Sequence, residues 1–416
     1  MTDKLFLGRQ LLAGAATPFC PESDFLRAHT CITGRSGCGK TTLVARFCEE
    51  VLLRNAGNIV FFDSNDEFSR FASVDSAAFG RPDPVTVDGC AEDESTAFAT
   101  SWNKLAPEIV AVPSSKMQVP FAALDPERLA YLLGVRRYED AGAFWMIQML
   151  LEDSSLSVDL DSWKELRKRF RMFGRWAEGR RKGTDPGTAE LAHQFQSMAK
   201  AIEHARLRNA LDSREAGKYV WFGDKDPNPK GVVFDDAFLD NVMKNRRFTS
   251  LDLLNFRFDE RQSRAFIMLH VLRSLWDAAK DRFRIAKVAG NEPEPPVFIV
   301  IDEAHNLVGE ESETNPIRDI VETIAAEGRK FNLFLMLLTQ RPDKINRRIL
   351  SECENFVVMR STPQVADHFR SSLGIKDSMV TADMIRNLKR GEALFYGKFT
   401  SEAATHIATG FRRTPT

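Results

Sequence analysis

The 416-residue chain lacks the features on which several protein classes depend. Its longest uninterrupted apolar run is Leu333–Leu338, far short of the ~20 residues that a membrane-spanning helix needs. Arg9 and Gln10 interrupt the apolar stretch near the N-terminus, which spoils the core of a secretory signal. A cytoplasmic protein with no membrane partner is expected. The cysteines, Cys20, Cys31, Cys38, Cys48, Cys90 and Cys353, include no CxxC pair. Neither a zinc site nor a disulfide framework is suggested, and reduced thiols are expected. The seven histidines contain no HExxH spacing, which excludes a zincin-type centre. Charge of one sign is also missing, since 57 basic residues against 58 acidic give a net charge of −1. A surface that coats nucleic acid all over is excluded. A local basic face is not, because steering depends on distribution as well as on the sum.

With 43% hydrophobic and 28% charged residues the composition is that of a globular protein. Thr30–Thr33 is a short β-prone run that ends at Gly34, and Thr41–Leu53 carries apolar residues at helical spacing. Ile59–Phe62 follows, continuously apolar and ending at Asp63, as in a strand buried on both faces. Strand, glycine loop, helix and buried strand open a parallel α/β sheet. Thr17-Pro18 and Cys20-Pro21 predict no regular element in residues 1–28, and 73–125 reads as loops with one or two strands such as Ile109–Val112. Residues 126–247 read as a mostly helical insertion, with Leu129, Leu132 and Leu133, Phe144–Leu151 and Trp163–Ala177 at helical spacing and turns at Asp224–Gly231. The sheet pattern returns at Phe248–Leu254, a long helix spans roughly Glu260–Arg282, and strands follow at Val297–Ile301, Leu333–Leu338, Phe356–Met359 and Glu392–Tyr396. The expected organisation is a short segment 1–26, a core in two parts (27–125 and 248–416), and the insertion 126–247 between them.

The sharpest motif is Gly34-Arg35-Ser36-Gly37-Cys38-Gly39-Lys40-Thr41, a complete GxxxxGK[ST] followed by Thr42. Such a loop wraps phosphates with backbone N–H groups, its lysine reaches the β- and γ-phosphates, and its hydroxyl is placed to ligate Mg²⁺. The helix after it offers free N–H groups and a dipole that favour anions. Gly34 through Thr42 are therefore expected to hold the nucleotide. The second signal is Val297–Ile301 running into Asp302-Glu303. P-loop NTPases place such an acidic strand end beside the metal. Asp302 would hold Mg²⁺, and Glu303 would polarise the attacking water as general base. Two carboxylates favour ATP hydrolysis over a kinase. Gln340, at the tip of the Leu333–Leu338 strand, can sense the γ-phosphate or position water. Arg329, before the same strand, lies too far from its own nucleotide but could reach a neighbour's as an arginine finger. A surface Glu327–Arg329 pair is the plainer reading.

With these residues assembled, the chain resembles the HerA/FtsK superfamily of ring-forming DNA translocases, closest to the HerA branch. The blocks are Arg27–Gly34 into the P-loop, Val60–Phe68 (VFFDSNDEF), Phe248–Leu254 (FTSLDLL), Phe298–Leu307 (FIVIDEAHNL), Ala326–Pro342 (AEGRKFNLFLMLLTQRP), Ile349–Arg360 and Gly391–Gly397. EGRK followed by TQRP is the most specific part. The resemblance implies a RecA-like (ASCE) P-loop core, a homo-hexameric ring with ATP between subunits, and double-stranded DNA as partner. It puts Lys40, Thr41, Asp302 and Glu303 to work in cis, Gln340 as γ-phosphate sensor and Arg329 as the trans arginine. The role of Asp63–Glu67 stays open. HerA-type proteins often carry an N-terminal β-barrel, and the 33 residues before Gly34 are too few for one. Cys38 stands where serine is common, with little effect expected. Asp302–His305 also spells DEAH, but the further motifs of helicases so named are not found.

Lys164–Lys182 holds nine basic residues against two acidic, with Lys164, Arg167, Lys168, Arg171, Arg175 and Lys182 on one helical stripe. Such a stripe fits phosphates, which makes binding salt-dependent, and it fits a solvated face equally well. Arg347-Arg348 could likewise face a pore or plain solvent. Two functional readings follow: an ATP-driven double-stranded DNA translocase, or a nucleotide-dependent platform that activates a partner effector such as a nuclease. They differ in whether DNA or a partner protein accelerates hydrolysis.

Overall fold

Five segments in which every residue is buried form the centre of the protein: His29–Thr33, Asn58–Asp63, Phe248–Asp252, Val297–Ile301 and Leu333–Thr339. Strands buried on both faces belong to parallel sheets covered by helices, and these five pair in parallel. The computed structural model describes residues 5–12, 15–75, 91–120, 123–132, 135, 141–152, 219–221, 231–243, 247–254, 260–291, 295–309, 315–365, 367, 381–400 and 404–415. Among them the strands are β1 (Gly8–Leu12), β2 (Ala15–Phe19), β3 (His29–Thr33), β4 (Asn58–Asp63), β5 (Ile109–Val112), β6 (Met117–Pro120) and β7 (Tyr219–Trp221). The series continues with β8 (Val232–Val233), β9 (Phe248–Asp252), β10 (Val297–Ile301), β11 (Leu333–Thr339), β12 (Cys353–Met359), β13 (Glu392–Gly397) and β14 (Thr405–Thr409).

The chain divides into two compact units. The first comprises Met1–Val112, Leu239–Leu254 and Leu272–Thr416. Its sheet has the order β2-β1-β14-β13-β12-β3-β11-β10-β4-β9-β5. The strands from β12 to β5 are parallel, and β13, β14, β1 and β2 extend the sheet as an antiparallel wing. The architecture is α/β with a mostly parallel sheet, as the sequence pattern predicts. Helix Pro316–Glu327 shows the local logic: Asn315 accepts hydrogen bonds from the Ile317 and Arg318 N–H groups, Pro316 sits in the first turn, and Ile317, Ile320, Val321 and Ile324 form its buried stripe.

Two expectations are corrected here. Residues 1–28 do contain strands, β1 and β2. Pro18 is tolerated because β2 is the outermost strand, with only β1 as neighbour. The 73–125 stretch also contains a helix, Ala91–Leu105. Its first turns carry Glu92, Asp93 and Glu94 in sequence, and acidic residues are favoured at a helix N-terminus. The helix buries Phe98 and Trp102 beside Phe71, with the Phe71–Trp102 ring centroids 5.3 Å apart and Phe71–Phe248 4.4 Å apart. At roughly 1.5–3 kcal/mol per buried aromatic, this cluster packs against β9, next to the edge strand β5.

The second unit comprises Pro113–Phe238 and Asn255–Val271. Its described part holds a three-stranded sheet, β7-β6-β8, and helices Pro126–Leu132 and Ala141–Glu152. Asp125 opens the first of these helices by accepting the Arg128 N–H at 2.7 Å. His270 meets the Phe234 carbonyl at 3.0 Å, and burial pulls its pKa down to about 4, so the ring is neutral. The basic stripe at 164–182, the Trp163–Ala177 helix and the turns at 224–230 lie outside the described residues. No helix among the described residues is long and apolar enough to cross a membrane.

Candidate nucleotide site

In open α/β sheets, ligands bind outside the carboxyl ends of the strands. Strand β3 ends there in the P-loop, whose Gly37 and Gly39 take φ of +72° and +109°, a region costly for any side chain. Gly34 is required for space instead, since a Cβ there would stand 2.6 Å from Cys38 Sγ and 2.8 Å from Met359 Cβ. Arg35, Ser36 and Gly37 are exposed, Thr41 and Thr42 half-buried, and helix Lys40–Leu53 begins directly behind them. Lys40 Nζ folds over the loop and donates to the Gly34 carbonyl at 2.6 Å and to the Arg35 carbonyl at 3.3 Å. Cys38 turns inward, its Sγ 3.9 Å from Met359 Sδ. It is a packing residue that leaves the loop's mouth to backbone groups.

Strand β10 delivers the carboxylates two strands away, with β11 between. The Asp302 carboxylate accepts the Glu303 N–H at 2.9 Å and the Asn65 side-chain amide at 2.8 Å. Burial first, then the charges of Glu303, Asp63 and Glu67, push its pKa up to about 7. Glu303 follows with φ +48° and ψ 43°, an uncommon conformation for a residue with a side chain. Its Oε1 accepts from Gln340 Nε2 at 2.6 Å. Its Oε2 lies 3.4 Å from His305 Nδ1. That nitrogen is also 3.1 Å from Thr339 Oγ1, which accepts the Arg341 N–H at 2.9 Å. The hydroxyl proton of Thr339 is thus free to point at His305. Burial lowers the His305 pKa, with Glu303 opposing and Arg341 and Lys40 assisting, so the ring is neutral at pH 7. A cleft of about 540 Å³ opens beside Gln340, lined by Arg35, Arg341, Asp343, Ser361 and Thr362 among others.

The structure therefore brings Gly34–Thr42, Asp302, Glu303 and Gln340 to one edge of the sheet. Arg329 lies at the other end of β11, a strand of seven residues, hence roughly 20 Å from Gln340 at ~3.3 Å per residue. It sits in the turn Gly328–Phe331 and pairs with Glu354 at 2.8 Å and Glu352 at 3.6 Å. The Glu327–Arg329 pair weighed from the sequence is replaced by these partners. Sequence reasoning missed three residues: Asn65, His305 and Thr339. Asn65 lies inside VFFDSNDEF, so the block itself was the signal. The turn is built by Asp63, whose carboxylate accepts the Asn65 N–H at 3.1 Å and the Phe68 N–H at 2.9 Å.

A divalent cation fits the donor set by its chemistry. Asp302, raised to about pKa 7 by burial first and then by Glu303, Asp63 and Glu67, pairs with no cation among the described residues, and an added cation would favour its ionised form. Among the described residues no three His, Cys, Asp or Glu side chains converge as a metal cage. Mg²⁺ takes one or two protein oxygens, waters and substrate phosphates rather than a dedicated protein cage, and Asp302 with the Thr41 hydroxyl could supply the protein oxygens.

The description "Helicase HerA, central domain" belongs to the family model that matches residues 6–151. The DNA double-strand break repair helicase HerA of Sulfolobus acidocaldarius is 25% identical over 213 residues, covering 50% of this chain and 41% of that protein. That of Saccharolobus solfataricus is 29% identical over 183 residues, 44% of this chain and 34% of that protein. The chain thus spans less than half the length of these relatives. Among solved structures, VirB4 of Thermoanaerobacter pseudethanolicus superposes with a TM-score of 0.57 at 13% identity, covering 97% of this chain and 96% of that one. The bacterial conjugative coupling protein TrwBdeltaN70 does so with 0.55 at 13% identity, covering 98% and 91%. At such identity these two share the fold. Residues 6–151 thus match the HerA central-domain model, and the chain is similar to HerA helicases in sequence over part of its length and to VirB4 and TrwB in fold.

Proposed function

We propose that the chain is an ATP-hydrolysing ring motor that translocates double-stranded DNA, with the nucleotide shared between neighbouring copies of a homo-hexamer. One observation carries the reading: Lys40, Asp302, Glu303 and Gln340 sit together at the carboxyl ends of three adjacent strands, with Glu303 already hydrogen-bonded to Gln340. Gly34 through Thr42 bind the phosphates. Lys40 exchanges its bonds to the loop carbonyls for the β- and γ-phosphate oxygens. Thr41 and Asp302 hold Mg²⁺, which supplies charge neutralisation of the phosphates when bound. Glu303 takes the proton of the attacking water, and Gln340 senses the γ-phosphate. Arg329, half-buried at the opposite end of β11, serves a neighbour's nucleotide. Support for DNA as the track comes from the HerA relatives, which are named for DNA double-strand break repair, and from the sequence blocks shared with that family.

Lys40→Ala is expected to abolish nucleotide binding, because it removes the ammonium that donates to the loop carbonyls and reaches the phosphates. Equilibrium titration with labelled ATP checks it, and intact affinity would undo the P-loop assignment. The motor reading is tested by ATP hydrolysis of the full chain with and without linear double-stranded DNA. Stimulation by DNA, lost at high salt as phosphate contacts are screened, is the expected result. Hydrolysis indifferent to DNA would replace the motor with the partner-activating platform.

A further inference from the structure

Strand β12 is irregular where it meets β3: Cys353 pairs with His29 and Asn355 with Thr30, so Glu354 is an extra residue with no partner in that register. A bulge of this kind turns a side chain out of the regular alternation. On its other side β12 pairs Asn355 with Gly397, and the close approach admits only glycine there. Gly397 has φ +108°, and a Cβ would stand 1.9 Å from the Glu354 carbonyl oxygen. The displaced Glu354 carboxylate stands between two cations, Arg329 Nη1 at 2.8 Å and Lys398 Nζ at 3.0 Å. The arginine's own backbone is fixed as tightly. Gly328 before it is buried, and a Cβ there would stand 2.8 Å from the Leu333 carbonyl oxygen. Asn332 after it turns the chain into β11 with φ +58°.

We propose that Glu354 is a positioning residue: the β12 bulge exists to hold the Arg329 guanidinium, through Glu354, in the place from which it reaches the ATP of a second copy of this chain. The inference rests on the reading of Arg329 as a trans-acting arginine and deepens it. Arg329 and Glu354 are 37% and 31% exposed. An ion pair that open to water contributes little to stability, so a phosphate group can displace the carboxylate at small cost. The pair is still enough to fix one rotamer of a long side chain, and misplacing a catalytic group by about 1 Å can cost on the order of a hundredfold in rate. Lys398, 3.0 Å away on the other side of the carboxylate, holds Glu354 in place while Arg329 leaves and returns.

The test uses the full-length chain and the variants Arg329→Ala, Glu354→Gln and the double variant. Each is measured for ATP hydrolysis, ATP affinity, self-association and melting temperature. Glu354→Gln is expected to lower kcat about tenfold or more, with the other three readouts unchanged. The double variant should be no slower than Arg329→Ala alone, because a residue that acts through another has nothing left to lose once that other is gone. Mixing Glu354→Gln subunits with Glu303→Gln subunits, which lack a base but keep Arg329 and Glu354, should restore part of the lost turnover. Should Glu354→Gln fold poorly, Glu354→Asp, which keeps the charge on a shorter stem, reads the same quantity with a smaller loss. Wild-type turnover in the folded Glu354 variant, a double variant slower than Arg329→Ala, or loss of self-association overturns the positioning role alone. Wild-type turnover in Arg329→Ala overturns the trans-arginine reading and the positioning role with it.

Discussion

Glu303→Gln is expected to bind ATP as tightly as the parent protein and to hydrolyse it at about a thousandth of the rate or less, since a general base contributes roughly 10²–10⁴-fold. The substitution keeps the shape of the side chain and removes the carboxylate that accepts from the Gln340 amide. An amide that faces a carboxylate must present its nitrogen, and that nitrogen carries two protons. One goes to Glu303 Oε1, and the other is free for a phosphate oxygen, so Gln340 can tie the state of the base to the presence of the γ-phosphate. The second oxygen, Oε2, faces a His305 that is neutral at pH 7 and can take the Thr339 proton on Nδ1. A ring nitrogen that accepts from Thr339 cannot also donate to Glu303, so Oε2 stays free to take a proton from water. Single-turnover phosphate release and filter binding of labelled ATP measure the two quantities. Turnover near the parental rate would take the base role away from Glu303, whereas lost binding would mean that the carboxylate organises the phosphate pocket itself.

How far the sequence could lead depends on what each segment is buried against. The central strands were legible because burial on both faces leaves a continuous apolar run, as in Val297–Ile301 and Leu333–Leu338, and each run ends where a functional residue begins. The P-loop was legible because Gly37 and Gly39 need positive φ and Gly34 has no room for a Cβ, constraints that are written directly as glycines. The wing was not. Strand β1 gains its pairing from β14, roughly four hundred residues later in the chain, β2 pairs with β1 alone, and two prolines argue locally against them. Helix Ala91–Leu105 was hidden because its acidic first turn is polar, and its buried Phe98 and Trp102 have meaning only beside Phe71.

The site divides in the same way. Residues that act on the substrate are few and stereotyped, so Lys40, Asp302, Glu303 and Gln340 could be named from spacing. Residues that hold them are set by tertiary contact and leave no local period. Asn65 reaches Asp302 across 237 positions, and Glu354 reaches Arg329 across a bulge that no hydrophobic pattern marks. DEAH shows the converse. The spelling suggested another helicase class, but what His305 does is legible only from its distances to Thr339 and Glu303.

The largest expected loss of stability comes from a residue outside the site, Arg413. The P-loop helix carries Glu49 and Glu50, with side chains 0% and 1% exposed. Arg413 spans both, with Nε on Glu49 at 3.0 Å and Nη2 on Glu50 at 2.6 Å, while its guanidinium lies 4.3 Å from the Phe98 ring centroid. Arg46 and Arg54 add weaker contacts to Glu50 at 3.6 and 3.5 Å. Arg413→Ala strands Glu49 Oε2 and half of Glu50 out of water, and breaking a buried pair from one side costs about 3–5 kcal/mol. Arg413→Lys should recover part of this, because an ammonium can face one carboxylate but cannot bridge two as the planar fork does. The pH dependence identifies the cause. Burial alone would raise the Glu50 pKa, but Arg413, Arg46 and Arg54 outweigh it and hold it below the ordinary value of 4.5. Glu50 therefore stabilises the fold above its unfolded pKa and loses that contribution as pH falls through its folded pKa. Denaturant melts at pH 7 and pH 4 should show Arg413→Ala well below the parent at pH 7 and less sensitive to acid. Equal stability at pH 7 would mean that Arg46 and Arg54 suffice. A large loss with unchanged acid sensitivity would assign the effect to the Phe98 contact instead. Lys40 begins the helix Lys40–Leu53 that carries Glu49 and Glu50, so this buried charge cluster ties the Arg413 segment to the helix behind the phosphate loop.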